Sequence, residues 1–411
     1  MDTQVPAADS TSAALRAQPR VRPPRTKRPS PAGPPATLPP VARDRHDWVN
    51  ELVQRRAARR VETDTRLVLL GTAGGSAARS TRCGFSNALV VGDVAYLIDC
   101  GEGVHMQLHR AGLVATRRFG STGARPVVET IFLTHLHADH IMDLVNILQG
   151  SWPNSRIDVY GPGPAGPPFT THADPLHPVR FPEDPAPGIK RVLDHFNRAF
   201  GMNINARIIG EGRSDYIDQL VVHEIGLKGE NEPDANSIEI PVAIERLDGE
   251  FEVPAVEPFV VRPEDERGVT VTATLVQHPP VFPALAYRFD TPHGSVVFSG
   301  DTTPCDNVVR LAQGADILVH EVVDIEAILG RISLLSTFEI VRAQFARAHT
   351  QVHEVGHVAA RAGVGTLVLS HLVPGEGSHT PEEWEALARQ AAPEFEGEIV
   401  CGVDLDEFAL G

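Results

Sequence analysis

From Arg66 onward the chain falls into short apolar runs separated by glycine and polar turns. Leu67-Val68-Leu69-Leu70 leads into Gly71-Thr72-Ala73-Gly74-Gly75, and Ala88-Leu89-Val90-Val91 is joined to Val94-Ala95-Tyr96-Leu97-Ile98 through Gly92-Asp93. Runs of this length bounded by turn formers predict strands, and the Gly-Asp link predicts a hairpin. Ile131-Phe132-Leu133 reads as another strand, after which Leu144, Ile147 and Leu148 recur at helical spacing until Gly150. Ser295-Val296-Val297-Phe298 ends in Ser299-Gly300-Asp301, and Asp316-Ile317-Leu318-Val319 ends in His320-Glu321; both predict buried strands with polar tips. Val352, Val355, Val358, Ala359 and Ala362 mark a helix that stops at Gly363, followed by the strand Thr366-Leu367-Val368-Leu369 and then Ser370-His371. Thr380-Pro381-Glu382-Glu383 is a capping box with proline at the first helical position. Strands mixed with helices predict an α/β sandwich.

Two stretches depart from this pattern. Residues 1–45 are rich in Pro, Ala and Arg, with nine prolines between Pro19 and Pro40 and no apolar period, which predicts a disordered basic tail. Such a tail is either a solvated segment or a contact for nucleic acid or another acidic surface. Residues 161–267 carry nine prolines in 162–187 and ten basic against twenty acidic residues. This predicts an insertion or lid, partly helical around Lys190–Phe200, inside a single catalytic domain over 46–411.

Composition narrows the class. The apolar fraction of 42% supplies a core, and no apolar stretch reaches the length of a membrane span. No apolar leader is visible, so a cytoplasmic location is expected. Cys83, Cys100, Cys305 and Cys401 lie too far apart for a disulfide scaffold or a zinc ribbon. Residues 1–60 hold twelve Lys/Arg and five Asp/Glu, leaving 25 basic and 48 acidic residues for 61–411. An acidic body repels polyanions at long range unless metals or a local cation invert the field.

The chemistry concentrates in Thr134-His135-Leu136-His137-Ala138-Asp139-His140. Residues two apart on an extended strand end point the same way, so His135 and His137 can share one cation. Asp139 and His140 turn the other way and can hold a second. Imidazole with carboxylate suits zinc, with manganese or iron as alternatives.

The His-x-His-x-Asp-His run resembles the metallo-β-lactamase superfamily. Asp99-Cys100-Gly101-Glu102-Gly103 and Leu70-Gly71-Thr72 resemble its ribonuclease Z branch. The resemblance covers about residues 66–161 and 270–405 and implies an αββα four-layer sandwich interrupted by the inserted lid. It implies two divalent metal ions: His135, His137 and His278 on one, Asp139, His140 and His371 on the other, and Asp301 bridging. Asp139 would also orient the attacking hydroxide. His349, in His349-Thr350-Gln351, is similar to the family's general acid, with Glu321 orienting it.

The branch implies hydrolysis of phosphodiesters, at tRNA 3′ ends in its named form, by a chain whose relatives are often homodimers. Three features depart from it: Ala286-Tyr287-Arg288 where the family favours Gly-Tyr-Arg, Leu372-Val373-Pro374 where it carries serine and arginine, and the acidic character of 161–267. His278-Pro279-Pro280 and the His-Leu-Val-Pro ending also look like arylsulfatase-type relatives, which implies a small ester as the alternative substrate. Phe282, Trp152 and Phe169 would then line its pocket, or else belong to the core. A metal-binding protein without catalysis is the remaining alternative.

Overall fold

The computed structural model describes residues 63–75, 80–114, 126–153, 155–165, 180–229, 235–242, 244, 252–331 and 338–411. The expected basic tail over 1–45 lies outside them, as does Phe169. In chain order the strands are β1 (Thr65–Gly71), β2 (Ser86–Val91), β3 (Val94–Ile98), β4 (Val127–Phe132), β5 (Ile157–Pro162), β6 (Leu220–Gly226) and β7 (Ile238–Glu239). There follow β8 (Phe259–Arg262), β9 (Thr270–Leu275), β10 (Leu285–Thr291), β11 (Gly294–Phe298), β12 (Ile317–Val323), β13 (Thr366–Val373), β14 (Glu398–Cys401) and β15 (Glu407–Ala409). They form an eight-stranded sheet, β15-β1-β2-β3-β4-β5-β6-β7, and a seven-stranded sheet, β14-β13-β12-β11-β10-β9-β8.

Strand alternation explains the layering. In β3, Val94, Tyr96 and Ile98 face the core between the sheets, while Ala95 and Leu97 face an outer core with Val104, Leu108, Leu144 and Ile147. In β12, Ile317 and Val319 point inward, and Leu318 and Val322 point to a second outer layer with Val355, Val358, Ala359 and Trp384. Both faces of each strand are therefore apolar, as strands buried on two sides require. The result is the αββα sandwich that the motif resemblance implies. Val91 pairs with Val94 across the expected hairpin, and Thr380 and Glu383 close the expected capping box. No helix among the described residues is long and apolar enough to cross a membrane.

Where it is described, the segment 161–267 is helical over Ile189–Ala199, as expected around Lys190–Phe200, and also supplies strands to both sheets. β6 runs parallel to β5, β7 extends that sheet and β8 pairs with β9. The helices Ile189–Ala199 and Gly201–Glu211 bury Ile189, Leu193 and Ile204 in the outer core. Its prolines and acidic residues masked a handful of apolar positions, which were enough to dock it as part of the layers.

Two contacts hold the metal-bearing rim. The Tyr287 hydroxyl, fully buried, donates to the Leu133 carbonyl at 2.9 Å, anchoring the strand that leads into the histidine run. Tyr287→Phe leaves that buried carbonyl without a partner and is expected to cost about 1–3 kcal/mol of stability, read as a lowered urea midpoint at constant slope. Gly300 has φ 59°, and a Cβ there would stand 2.6 Å from the Leu285 carbonyl oxygen. Any other residue before Asp301 would clash with the neighbouring strand.

Candidate metal centre

β3, β4, β5 and β6 run parallel in one sheet, and β11, β12, β13 and β14 run parallel in the other. Their carboxyl ends carry the polar residues, where the apolar demand of the core ceases. His135 and His137 follow β4, His278 follows β9, Asp301 follows β11, and Glu321 and His371 sit in the last turns of β12 and β13. His349 follows the helix Phe338–Ala348. The candidate metal ligands, Glu321 and His349 thus arrive at one rim.

Three overlapping ligand-like groups form there, one of them made of Asp301, His349 and His371. The donor atoms of His135, His137, His278 and Asp301 lie within 4.8 Å of one another, and so do those of Asp139, His140 and His371. Asp301 stands between them. Its Oδ1 lies 3.3 Å from both His140 Nε2 and His371 Nε2, and its Oδ2 lies 3.9 Å from both His135 Nε2 and His278 Nε2. Asp139 Oδ2 is 3.3 Å from His371 Nε2 and accepts a hydrogen bond from Gly75 N at 2.7 Å. His140 Nε2 and His371 Nε2 approach to 3.2 Å, as do His278 Nε2 and His137 Nδ1 to 3.3 Å.

Residues around the cluster set the imidazole orientations. His140 Nδ1 donates to Asp99 Oδ2 at 2.9 Å, and His278 Nδ1 donates to the Ala348 carbonyl at 2.8 Å, so both rings turn Nε2 inward. Asp99 also accepts from Thr134 N and Thr134 Oγ1, each at 2.8 Å, which sustains its left-handed backbone (φ 59°). His371 is likewise left-handed (φ 46°), and a Cβ on Gly74 would sit 2.3 Å from its ring. The glycine loop after β1 therefore makes room for a ligand candidate. Asp99 appears in the sequence only within a motif; its role rests on a contact 41 residues away that no local pattern reveals. Asp99→Ala is expected to weaken metal affinity roughly 10- to 100-fold, measured by competition with a chromophoric chelator.

Charge and burial fit cations. Burial holds His135 and His137 below the ordinary imidazole range and His278 down to about 3, so all three present neutral lone pairs. Burial opposes ionisation of Asp139 and Asp301, but the facing histidines prevail and keep both carboxyls well below the usual range. His135 Nε2, His371 Nδ1 and Asp301 Oδ1 are buried without hydrogen-bond partners. Such atoms are costly unless something satisfies them. Neutral imidazoles facing ionised carboxylates, with orphaned donor atoms, suit divalent cations.

Beside the cluster, His349 Nδ1 lies 3.0 Å and 3.1 Å from the two Glu321 oxygens and 3.8 Å from Asp301 Oδ2. Burial alone would depress His349, but the Glu321 charge and hydrogen bond overcome it and raise the imidazolium to about 9. Glu321, raised by its own burial, is further held by Thr302 N at 2.6 Å. Trp152 instead packs on Tyr216 in an outer core, and Phe282 belongs to the core between the sheets, so neither lines a pocket here.

Residues 81–319 match the family profile described as the metallo-beta-lactamase superfamily. The chain is 33% identical over 341 residues to the Ribonuclease Z of Mycobacterium bovis BCG, covering 82% of this chain and 96% of that protein. It is 31% identical over 340 residues to the Ribonuclease Z of Mycobacterium marinum, again over 82% and 96%. The crystal structure of the short form of human tRNase Z shares the fold at a TM-score of 0.51 and 20% identity, covering 84% of this chain and 99% of that one. Glu321, His349 and His371 lie beyond the profile match and rest on the geometry above. With that match and relatives aligned along most of both sequences, the chain belongs to the metallo-β-lactamase superfamily and, within it, to the ribonuclease Z family.

Proposed function

We propose that this chain is a zinc-dependent endoribonuclease that hydrolyses a phosphodiester near the 3′ end of tRNA precursors. The observation that carries the reading is the carboxylate of Asp301 set between two histidine groups, in which all but His137 and Asp139 are buried, with the His349–Glu321 pair alongside. His135, His137 and His278 would hold one cation and Asp139, His140 and His371 the other, with Asp301 shared. Imidazole-rich sites with carboxylates favour zinc. Bound there, two divalent ions supply Lewis acidity and a water acidic enough to attack at neutral pH.

The chain's own residues do the rest. Asp139, fixed by the Gly75 amide, orients the attacking water. Glu321 holds His349 through Nδ1, which leaves Nε2 as the nitrogen that gives a proton to the departing sugar oxygen as the P–O bond breaks. The raised imidazolium keeps that proton available at neutral pH.

The reading is tested by incubating metal-replete protein with a 3′-extended tRNA, a bis-aryl phosphodiester and an aryl sulfate. Cleavage of the tRNA is expected, abolished by a chelator and restored by zinc. Turnover of the sulfate ester alone would sink the ribonuclease reading in favour of a small-ester hydrolase.

A further inference from the structure

A cavity of about 340 Å³ opens beside His349, at the lower end of the range of small-ligand sites. The helix Phe338–Ala348 contributes Gln344, Phe345 and Arg347 to its lining, and Pro279-Pro280 with His137 and His278 line it from other elements. The hydrogen bond from His278 Nδ1 to the Ala348 carbonyl ties the helix end to the segment that carries Pro279-Pro280. Phe345 is half-buried, its lower edge packed on the cluster of Val323, Ile325 and Leu329, and its ring lies 5.5 Å from the His349 ring at a tilt of 34°. Gln344 and Arg347 are exposed on the rim.

We propose that this cavity is the subsite for the nucleotide that carries the leaving oxygen, its base against Phe345 and the Pro279-Pro280 rings and its adjoining phosphate on Arg347. The inference rests on the ribonuclease reading and deepens it. A phenyl ring and two pyrrolidine rings in the lining supply the apolar surface that a planar base, whatever its identity, can pack on. The Gln344 amide both donates and accepts, as recognition of a base edge requires. Arg347 carries the one permanent positive charge among the lining residues, in the planar form that grips phosphate. In a body with 25 basic and 48 acidic residues over 61–411, a single well-placed guanidinium counts for more. His349 borders the cavity, so the group bound there is the one whose oxygen receives its proton.

The test is steady-state kinetics of the full-length, metal-replete protein on a 3′-extended tRNA, beside the bis-aryl phosphodiester. Arg347→Ala is expected to raise KM for the tRNA roughly 10- to 100-fold while kcat moves less than about threefold, with metal content unchanged. Arg347→Lys should recover part of the loss. An abasic site on the leaving-oxygen nucleotide should weaken binding to the wild type, and Phe345→Leu should add little to that loss. Wild-type cleavage of the tRNA with Arg347→Ala kinetically unaltered, or an abasic site without effect, overturns the subsite alone. A wild type that hydrolyses the bis-aryl diester but no RNA overturns the subsite and the ribonuclease reading together.

Discussion

Asp301→Ala is expected to empty both metal positions at once and to lower turnover on the order of 10³-fold or more. The reason is positional. Its two oxygens lie 3.3 Å from His140 and His371 on one side and 3.9 Å from His135 and His278 on the other, so one substitution removes a donor from each group. Its removal also takes away the largest charge that opposes the effect of burial on His140. Asp301→Asn keeps the shape and removes the charge, so an equal loss would assign the effect to electrostatics and not to packing. Inductively coupled plasma measurement of bound metal alongside turnover decides the matter: a variant that retains two ions per chain would refute the shared role. Substituting His137, which belongs to one group alone, should lower metal content less than substituting Asp301.

His349→Ala is expected to lower kcat by roughly 10² to 10⁴ while metal content stays at the wild-type level. His349 is not among the residues that would hold the two cations and meets the site through Glu321 and Asp301, so its loss should spare the metals. Glu321→Gln provides a second, independent readout. The carboxylate counteracts burial and raises the His349 imidazolium, and a group with a raised pKa acts as an acid up to that pKa. Without the charge the protonated form is lost at lower pH, so the alkaline limb of the kcat profile should move toward neutrality. A limb that stays where the wild type has it would show that another group gives the proton.

The departures noted in the sequence acquire physical explanations in the structure. Tyr287 keeps its anchoring bond to Leu133 although alanine precedes it, because Ala286 points into the outer core, where a small side chain packs among Val297 and Leu318. Leu372 is buried in that same layer, and its amide bonds the Thr72 carbonyl. On the proposed function, Arg347, at the cavity beside His349, is the side chain that would hold a phosphate.

Much of this protein was legible along the chain alone. Short apolar runs bounded by glycine and polar turns determined the strands, because the interactions that favour a strand or a helix act within a few residues. The compact run from His135 to His140 announced metal chemistry for the same reason: its donors are adjacent in sequence, so their convergence needs no fold. Tertiary structure alone decided the remainder. His278 meets the Ala348 carbonyl across 70 residues, His140 meets Asp99 across 41, and His349 meets Glu321 across 28. The helices of 161–267 joined the layers through three buried side chains, Ile189, Leu193 and Ile204, whose value lay in the sheet that received them. Local sequence specifies which residues can form an element, but which carboxylate turns an imidazole inward depends on the register of strands brought together by a shared core, and no window along the chain contains that information.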